Sequence, residues 1–159
     1  MTRTTRISLS VNGELVSAEV PVRRNLVDFL RQDVGLTGSH VGCEQGVCGA
    51  CTLELDGRMV RGCLMLAVQA DGAKVTTVEG LADSGRSADL RQAFATRNAL
   101  QCGFCTPGML ASALEYIEKG GAPDRTAIRE HLSGNYCRCT GYQAIVDAVC
   151  DTIDGKVSA

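Results

Sequence analysis

The chain has no tryptophan and only three tyrosines, three phenylalanines and three prolines. With so few aromatic side chains it offers little on which bases or sugars could stack. Neither sign of charge dominates: 16 Lys and Arg stand against 18 Asp and Glu, a formal charge of −2. No basic stripe stands out along the chain, so the electrostatic footprint of a nucleic-acid binder is missing. Long apolar runs are missing too. The longest, Cys63 to Val68, is far short of a membrane span. Met1 to Ser10 alternates polar and apolar residues and lacks the apolar stretch of a signal peptide. No G-x-G-x-x-G follows a strand pattern, and no Ser/His/Asp or paired-carboxylate constellation stands out. Chemistry on a substrate is therefore expected elsewhere, with no catalytic residue in this chain.

What is present is a globular chain of 159 residues, 45% of them hydrophobic, with nine cysteines. That length suits one ordinary domain or two small ones. An odd number of cysteines without a secretion signal argues for metal or redox chemistry in a reducing cytoplasm rather than a disulfide framework.

Two halves differ in their period. In the first, Ile7, Leu9 and Val11 alternate with polar residues, Asn12-Gly13 signals a hairpin, and Leu15 to Val22 reads as a second strand. Asn25 can cap a short helix with Leu26, Val27, Phe29 and Leu30 on its apolar face, stopped by Gly35. Thr37 to Gly49 is a loop with glycines at 38, 42, 46 and 49. Thr52 to Leu55, the Asp56-Gly57 turn and Met59 onward form another hairpin, and Lys74 to Val78 a last strand. This is the element order of a β-grasp sheet. The joint falls in Glu79 to Ala88, rich in Gly, Ser and Asp. Four helices are then expected. One begins near Asp89 with Leu90, Ala93, Phe94 and Leu100, its face interrupted by Arg97. The next opens at Thr106-Pro107 and carries Leu110, Ala113, Leu114 and Ile117. A third runs from about Asp124 or Thr126 to Leu132. Thr140 caps the fourth, with Tyr142, Ile145, Val146, Val149 and Ile153 on one face. The fold class is α+β, with a β-grasp domain over residues 1–79 and a four-helix domain over 80–159.

The cysteines sort into two sets of four. Cys43, Cys48, Cys51 and Cys63 follow C-x4-C-x2-C-x11-C, and the first three have the plant-type [2Fe–2S] spacing. The glycines around them, Gly42, Gly46 and Gly49, let the backbone curl about a bulky anionic core and aim N–H groups at sulfur. Cys102, Cys105, Cys137 and Cys139 follow C-x2-C-x31-C-x-C, each pair just ahead of a predicted helix, where unpaired N–H groups favour thiolate. A structural zinc site remains an alternative for either set, more open for the second than the first. Cys137 and Cys139 are too close in sequence to form an unstrained disulfide. A Rieske centre lacks its histidines: His40 reads as a loop residue near the first set, His131 as a surface residue of its helix. Cys150 is left over and reads as a small core side chain.

Three segments occur in a telling order: Gly42-Cys43-Glu44-Gln45-Gly46-Val47-Cys48-Gly49-Ala50-Cys51-Thr52, Gln101-Cys102-Gly103-Phe104-Cys105-Thr106-Pro107-Gly108, and Gly134-Asn135-Tyr136-Cys137-Arg138-Cys139-Thr140-Gly141-Tyr142. Together they resemble the small iron–sulfur subunit of the bacterial molybdenum hydroxylases, the xanthine oxidase family, over about Ile7 to Ile153. The resemblance implies a plant-ferredoxin-like β-grasp domain and a four-helix domain, each with one [2Fe–2S] cluster. It implies a large partner subunit with molybdopterin, often as the cytosine dinucleotide, a medium partner with FAD, and a dimer of heterotrimers in the cytoplasm. Electrons would pass singly from molybdenum to the helical-domain cluster, then to the β-grasp cluster and FAD, although some relatives run in reverse. On this resemblance Cys102, Cys105, Cys137 and Cys139 hold the proximal cluster, and Gln101 and Cys139 touch the pterin. Cys43, Cys48, Cys51 and Cys63 hold the distal cluster, with the Gly42 to Gly49 loop on the flavin side. Tyr136 stands where a smaller aliphatic residue is common in the family.

Two other readings are compatible with the cysteine pattern. A free-standing two-cluster carrier predicts a monomer without large faces for partners, and gives no purpose to a pterin-facing Gln101 and Cys139. A zinc-stabilised binding module or redox sensor predicts zinc, or no sulfide, and no colour.

Overall fold

Asn12 and Gly13 both take positive φ, 51° and 88°, and Asp56 and Gly57 repeat this at 47° and 77°. Those are the two-residue turns whose twist suits antiparallel strands. The first joins β1 (Thr4–Val11) to β2 (Glu14–Pro21) in a register that sets Ile7 opposite Ala18 and Leu9 opposite Val16. The second joins β3 (Thr52–Leu55) to β4 (Arg58–Arg61). The computed structural model describes residues 3–157; of the two expected domains, residues 1–2 and 158–159 lie outside the described residues.

A short strand β5 (Lys74–Thr76) runs parallel to β1 and antiparallel to β3, closing a five-stranded sheet in the order β2-β1-β5-β3-β4. Alternation on β1 buries Ile7, Leu9 and Val11 against helix α1 (Leu26–Asp28) and the π-helical turn Phe29–Asp33 that continues it. The Asn25 side chain accepts the Asp28 N–H at 2.7 Å, the expected cap. Leu26, Phe29, Leu30, Leu53 and Val75 complete this core. Each such fully buried large side chain is worth about 1.5–3 kcal/mol.

The helical half packs α3 (Ala88–Thr96), α4 (Thr106–Glu118), α5 (Arg125–His131) and α6 (Gln143–Ile153) around a second core that includes Leu90, Phe94, Met109, Leu114, Ile128, Ile145 and Val149. The α+β class, a β-grasp sheet followed by a helical half, is thus the architecture observed.

Several local expectations are corrected. Val78 does not extend β5 but opens a further helix, α2 (Val78–Asp83), within the expected joint. It packs against α4, so its Leu81 is buried. Leu100 lies beyond the end of α3 and is exposed. Arg97 caps the C-terminus of α3, and its Nε donates to Asp151 on α6 at 2.5 Å. Thr140 is not the cap of α6: the helix starts three residues later behind Tyr142, which is left-handed at φ 68°. His131 is half-buried rather than a simple surface residue, its Nε2 donating to the Ser112 carbonyl at 2.9 Å.

Candidate metal centres

Between the π turn and β3 the chain follows no regular element. Positive φ at Glu44, Gly46 and Gly49 bends it into a curl. The backbone N–H groups of Gln45 and Cys48 then donate to Cys43 Sγ at 3.4 and 3.5 Å. These donors, the Cys48 amide first and then Gln45, draw the Cys43 thiol down to about 6. Gly42 leaves room beside Cys48, since a Cβ there would sit 3.1 Å from its Sγ. Gly46 lies against the exposed Leu64 side chain, and its φ of 78° is one that glycine takes most readily.

The β3–β4 hairpin returns the fourth cysteine to this curl. Gly62 N–H donates to the Cys51 carbonyl at 3.1 Å, which sets Cys63 beside Cys51. Burial pushes the Cys51 thiol up to about 11, with the Cys63 and Cys48 thiols adding to the effect. Within the set, Cys48 is the thiol neighbour that acts on Cys43, and Cys63 the first of those that act on Cys51.

The second set comes together from distant segments. Cys102 and Cys105 precede α4, and Cys137 and Cys139 precede α6. Cys139 Sγ lies 3.5 Å from Cys102 Sγ, and Cys137 is the first of the thiol neighbours that act on Cys105. Burial, aided by Cys137, pushes the Cys105 thiol up to about 12. Burial alone would raise Cys137 as well, but the Thr140 hydroxyl and amide outweigh it and hold that thiol below its ordinary value. The Thr140 hydroxyl is 3.0 Å and its N–H 3.4 Å from Cys137 Sγ. Tyr142 Oη accepts the Cys137 N–H at 2.8 Å and donates to the Asn135 carbonyl at 3.1 Å. Gln101 Nε2 donates to the Cys139 carbonyl at 3.0 Å, so these two lie side by side, and both are exposed together with Cys102.

A seam brings the two sets close. Asn135, 2% exposed, donates through Nδ2 to the carbonyls of Gly49 at 3.2 Å and Gly108 at 3.0 Å. Its Oδ1 accepts from Ser112 Oγ at 2.8 Å and Arg61 Nη2 at 3.4 Å. A Cβ on Gly49 would come within 2.5 Å of the Gly134 carbonyl. Tyr136 N–H donates to the Cys48 carbonyl at 2.8 Å while its ring is exposed. Its size at this position therefore costs no core packing. His40 stacks on Phe104 with ring centroids 4.8 Å apart, and its Nδ1 donates to the Phe104 carbonyl at 2.8 Å.

All nine cysteines are free thiols, and Cys150 lies outside both sets with its Sγ 3.6 Å from the Pro123 carbonyl. Among the described residues no three His, Cys, Asp or Glu side chains gather as the ligands of one ion would. The eight thiols gather as two groups of four neighbours. A [2Fe–2S] core carries two thiolates on each iron, and this donor set, with N–H and O–H groups aimed at sulfur, fits that core. The sequence reads Thr140 as a helix cap and Tyr142 as part of a helix face, and gives Asn135 no role beyond its place in a motif; that motif was the available signal.

The chain matches two families: a 2Fe-2S iron-sulfur cluster binding domain over residues 9–82 and a [2Fe-2S] binding domain over residues 77–150. It is 53% identical over 148 residues to caffeine dehydrogenase subunit gamma of Pseudomonas sp. (strain CBB1), covering 90% of this chain and 87% of that one. It is 52% identical over 145 residues to the nicotine 6-hydroxylase small subunit of Paenarthrobacter nicotinovorans, covering 91% and 87%. The crystal structure of quinoline 2-oxidoreductase from Pseudomonas putida 86 superposes with a TM-score of 0.89 and 48% identity, covering 97% of this chain and 96% of that one. Two [2Fe–2S]-binding domains in one short chain, matched over nearly its whole length by such relatives, mean that it belongs to the small iron–sulfur subunits of the molybdenum hydroxylases, the electron-transfer members of oxidoreductase complexes.

Proposed function

We propose that the eight paired cysteines hold two [2Fe–2S] clusters, with Cys43 and Cys48 on one iron and Cys51 and Cys63 on the other of the distal centre. In the proximal centre Cys102 and Cys139 share one iron and Cys105 and Cys137 the other. The gathering of four thiols at each site, with Cys102 and Cys139 Sγ 3.5 Å apart, supports this reading, as do the N–H and O–H groups aimed at the sulfurs of Cys43 and Cys137. Residues 1–79 and 80–159 form the two cluster-binding domains.

Each bound cluster supplies one-electron chemistry, so two in series divide a two-electron substrate oxidation into single steps. The chain's own residues do the positioning. The Gly42–Gly49 curl offers amides to sulfur, and the segment after Asn135 sets Cys137 through Tyr142 and Thr140. Exposed Gln101 and Cys139 form the face toward molybdopterin, in its cytosine dinucleotide form, on a large partner subunit. Val47 and Leu64, 50% and 61% exposed at the distal curl, suit a face covered by a medium subunit carrying FAD. These faces support a chain that sits between two partner subunits rather than a free carrier; a dimer of such heterotrimers is the family's expectation. No helix among the described residues is long and apolar enough to cross a membrane, and the thiols suit a reducing cytoplasm.

The test is iron, acid-labile sulfide and zinc per chain in the natively purified complex. About four iron and four sulfide without zinc is the expected result. One zinc in place of half the iron would reduce the helical site to a structural one and end the relay reading.

A further inference from the structure

Thr140 occupies the position of a helix cap by sequence, yet its side chain caps nothing. Helix α6 begins at Gln143, and no side chain caps it. The Thr140 hydroxyl instead has two polar neighbours. Tyr142 N–H points at Oγ1 from 3.2 Å, and Cys137 Sγ lies 3.0 Å away. A hydroxyl has one hydrogen to give. The amide side is already supplied with a donor, so that hydrogen is directed at sulfur. The Tyr142 backbone, left-handed at φ 68°, fixes the amide that holds the hydroxyl in this orientation.

This contact has no counterpart in the distal site. Cys43 receives backbone N–H groups at 3.4 and 3.5 Å. Among the described residues, Cys137 is the cysteine whose sulfur accepts a side-chain hydroxyl. Reduction of a cluster adds negative charge that is shared by its thiolate sulfurs, and a donor at such a sulfur stabilises the reduced form. Removing the donor makes the centre harder to reduce.

We propose that Thr140 is the residue through which this chain sets the reduction potential of its proximal centre, by donating its hydroxyl hydrogen to Cys137 Sγ. The inference rests on Cys137 being a ligand of that centre. It makes Thr140 a positioning and tuning residue, one that adjusts how readily the proximal centre accepts an electron relative to the distal one.

The experiment is an EPR-monitored redox titration of the assembled complex carrying Thr140→Val, Thr140→Ala or Thr140→Ser beside the parent protein. Valine keeps the shape of threonine and removes the donor. The expected result is a lower proximal potential in Thr140→Val, an unshifted distal potential, and a near-parent value in Thr140→Ser. The parent protein should also show an exchangeable deuteron coupled to the proximal centre after transfer to heavy water, lost in the valine variant. An unchanged proximal potential in iron-replete Thr140→Val, or an equal shift in both centres, would overturn the proposal. Should valine impair loading, alanine supplies the same reading. Failure of both to assemble the centre while serine succeeds would make the hydroxyl an assembly element and equally overturn it. Absence of two [2Fe–2S] signals in the parent protein is a different result, one that removes the ligand assignment beneath.

Discussion

Around Cys43 the donors to sulfur come from the backbone, the amides of Gln45 and Cys48, presented by a curl that needs left-handed residues to form. Around Cys137 the closest donor is a side chain, and a second side chain, Tyr142, fixes the backbone of the cysteine itself. The first site is built within one loop plus a hairpin return. The second is assembled from segments more than thirty residues apart by helix packing. Backbone donors come with the loop and are indifferent to most side chains, provided the glycines remain. Side-chain donors can be exchanged one at a time, so the second site can be adjusted without redrawing the chain path.

Substitutions can break or sharpen that contrast. The largest effect belongs to Gly49→Ala. Its positive φ and the collision with the Gly134 carbonyl together should cost about 3 kcal/mol or more. Chemical denaturation and iron content should show a destabilised protein whose distal centre is lost first. Retention of both centres at full stability would break the claim that the curl depends on glycine. Asn135→Ala comes next. It takes one donor from the Gly108 carbonyl and one from the Gly49 carbonyl, which keeps Thr52, and leaves the Ser112 hydroxyl without its acceptor, for about 1–3 kcal/mol. Hydrogen exchange should quicken on both sides of the seam, including the Tyr136 amide bonded to Cys48.

Arg86→Ala removes a partly exposed bridge from Glu54 on β3 to Glu118 on α4 and should cost less than about 1 kcal/mol. A larger loss in thermal unfolding would move the weight of the seam from its buried amide to its surface. Asp151→Asn should matter less at neutral pH and show its effect on the acid side. The Arg97 hydrogen bond holds the Asp151 carboxyl below its ordinary range. The pair's contribution is therefore present above the ordinary carboxylate range and fades as pH falls through it. The asparagine variant should flatten that limb of a stability–pH curve. Smallest of all is Gln45→Ala, whose contact with Cys43 is made by the backbone N–H. Stability should stay within about 0.5 kcal/mol and the distal EPR signal should be unchanged.

Strands, hairpin turns and the apolar stripes of the helices were readable from the sequence because each rests on neighbours within a few residues. Asn12-Gly13 and Asp56-Gly57 declared their turns by residue type. Helix α2 was hidden because its six residues include Gly80 and its stability comes from packing against α4. Thr140 misled for a related reason. Threonine before a helical stripe favours a cap, but the left-handed Tyr142 delays the helix and frees the hydroxyl for sulfur. The cysteines separated into two sets by spacing, whereas the way each set gathers depends on how α4, α6 and the β3–β4 hairpin pack. Asn135 carried no local sign of its role, since its partners lie as far away as Gly49.

The seam also bears on modularity. The stretch around Ser84 and Gly85 has the composition of a severable linker, and each half has its own apolar core. Cutting there would part the Asn135 amide from the Gly49 carbonyl and from Arg61, while its bonds to Gly108 and Ser112 stay within the helical half. The fragments would each inherit half of one hydrogen-bond network rather than a finished boundary. Shuffling either half into another protein would require a replacement for the missing side of that single amide.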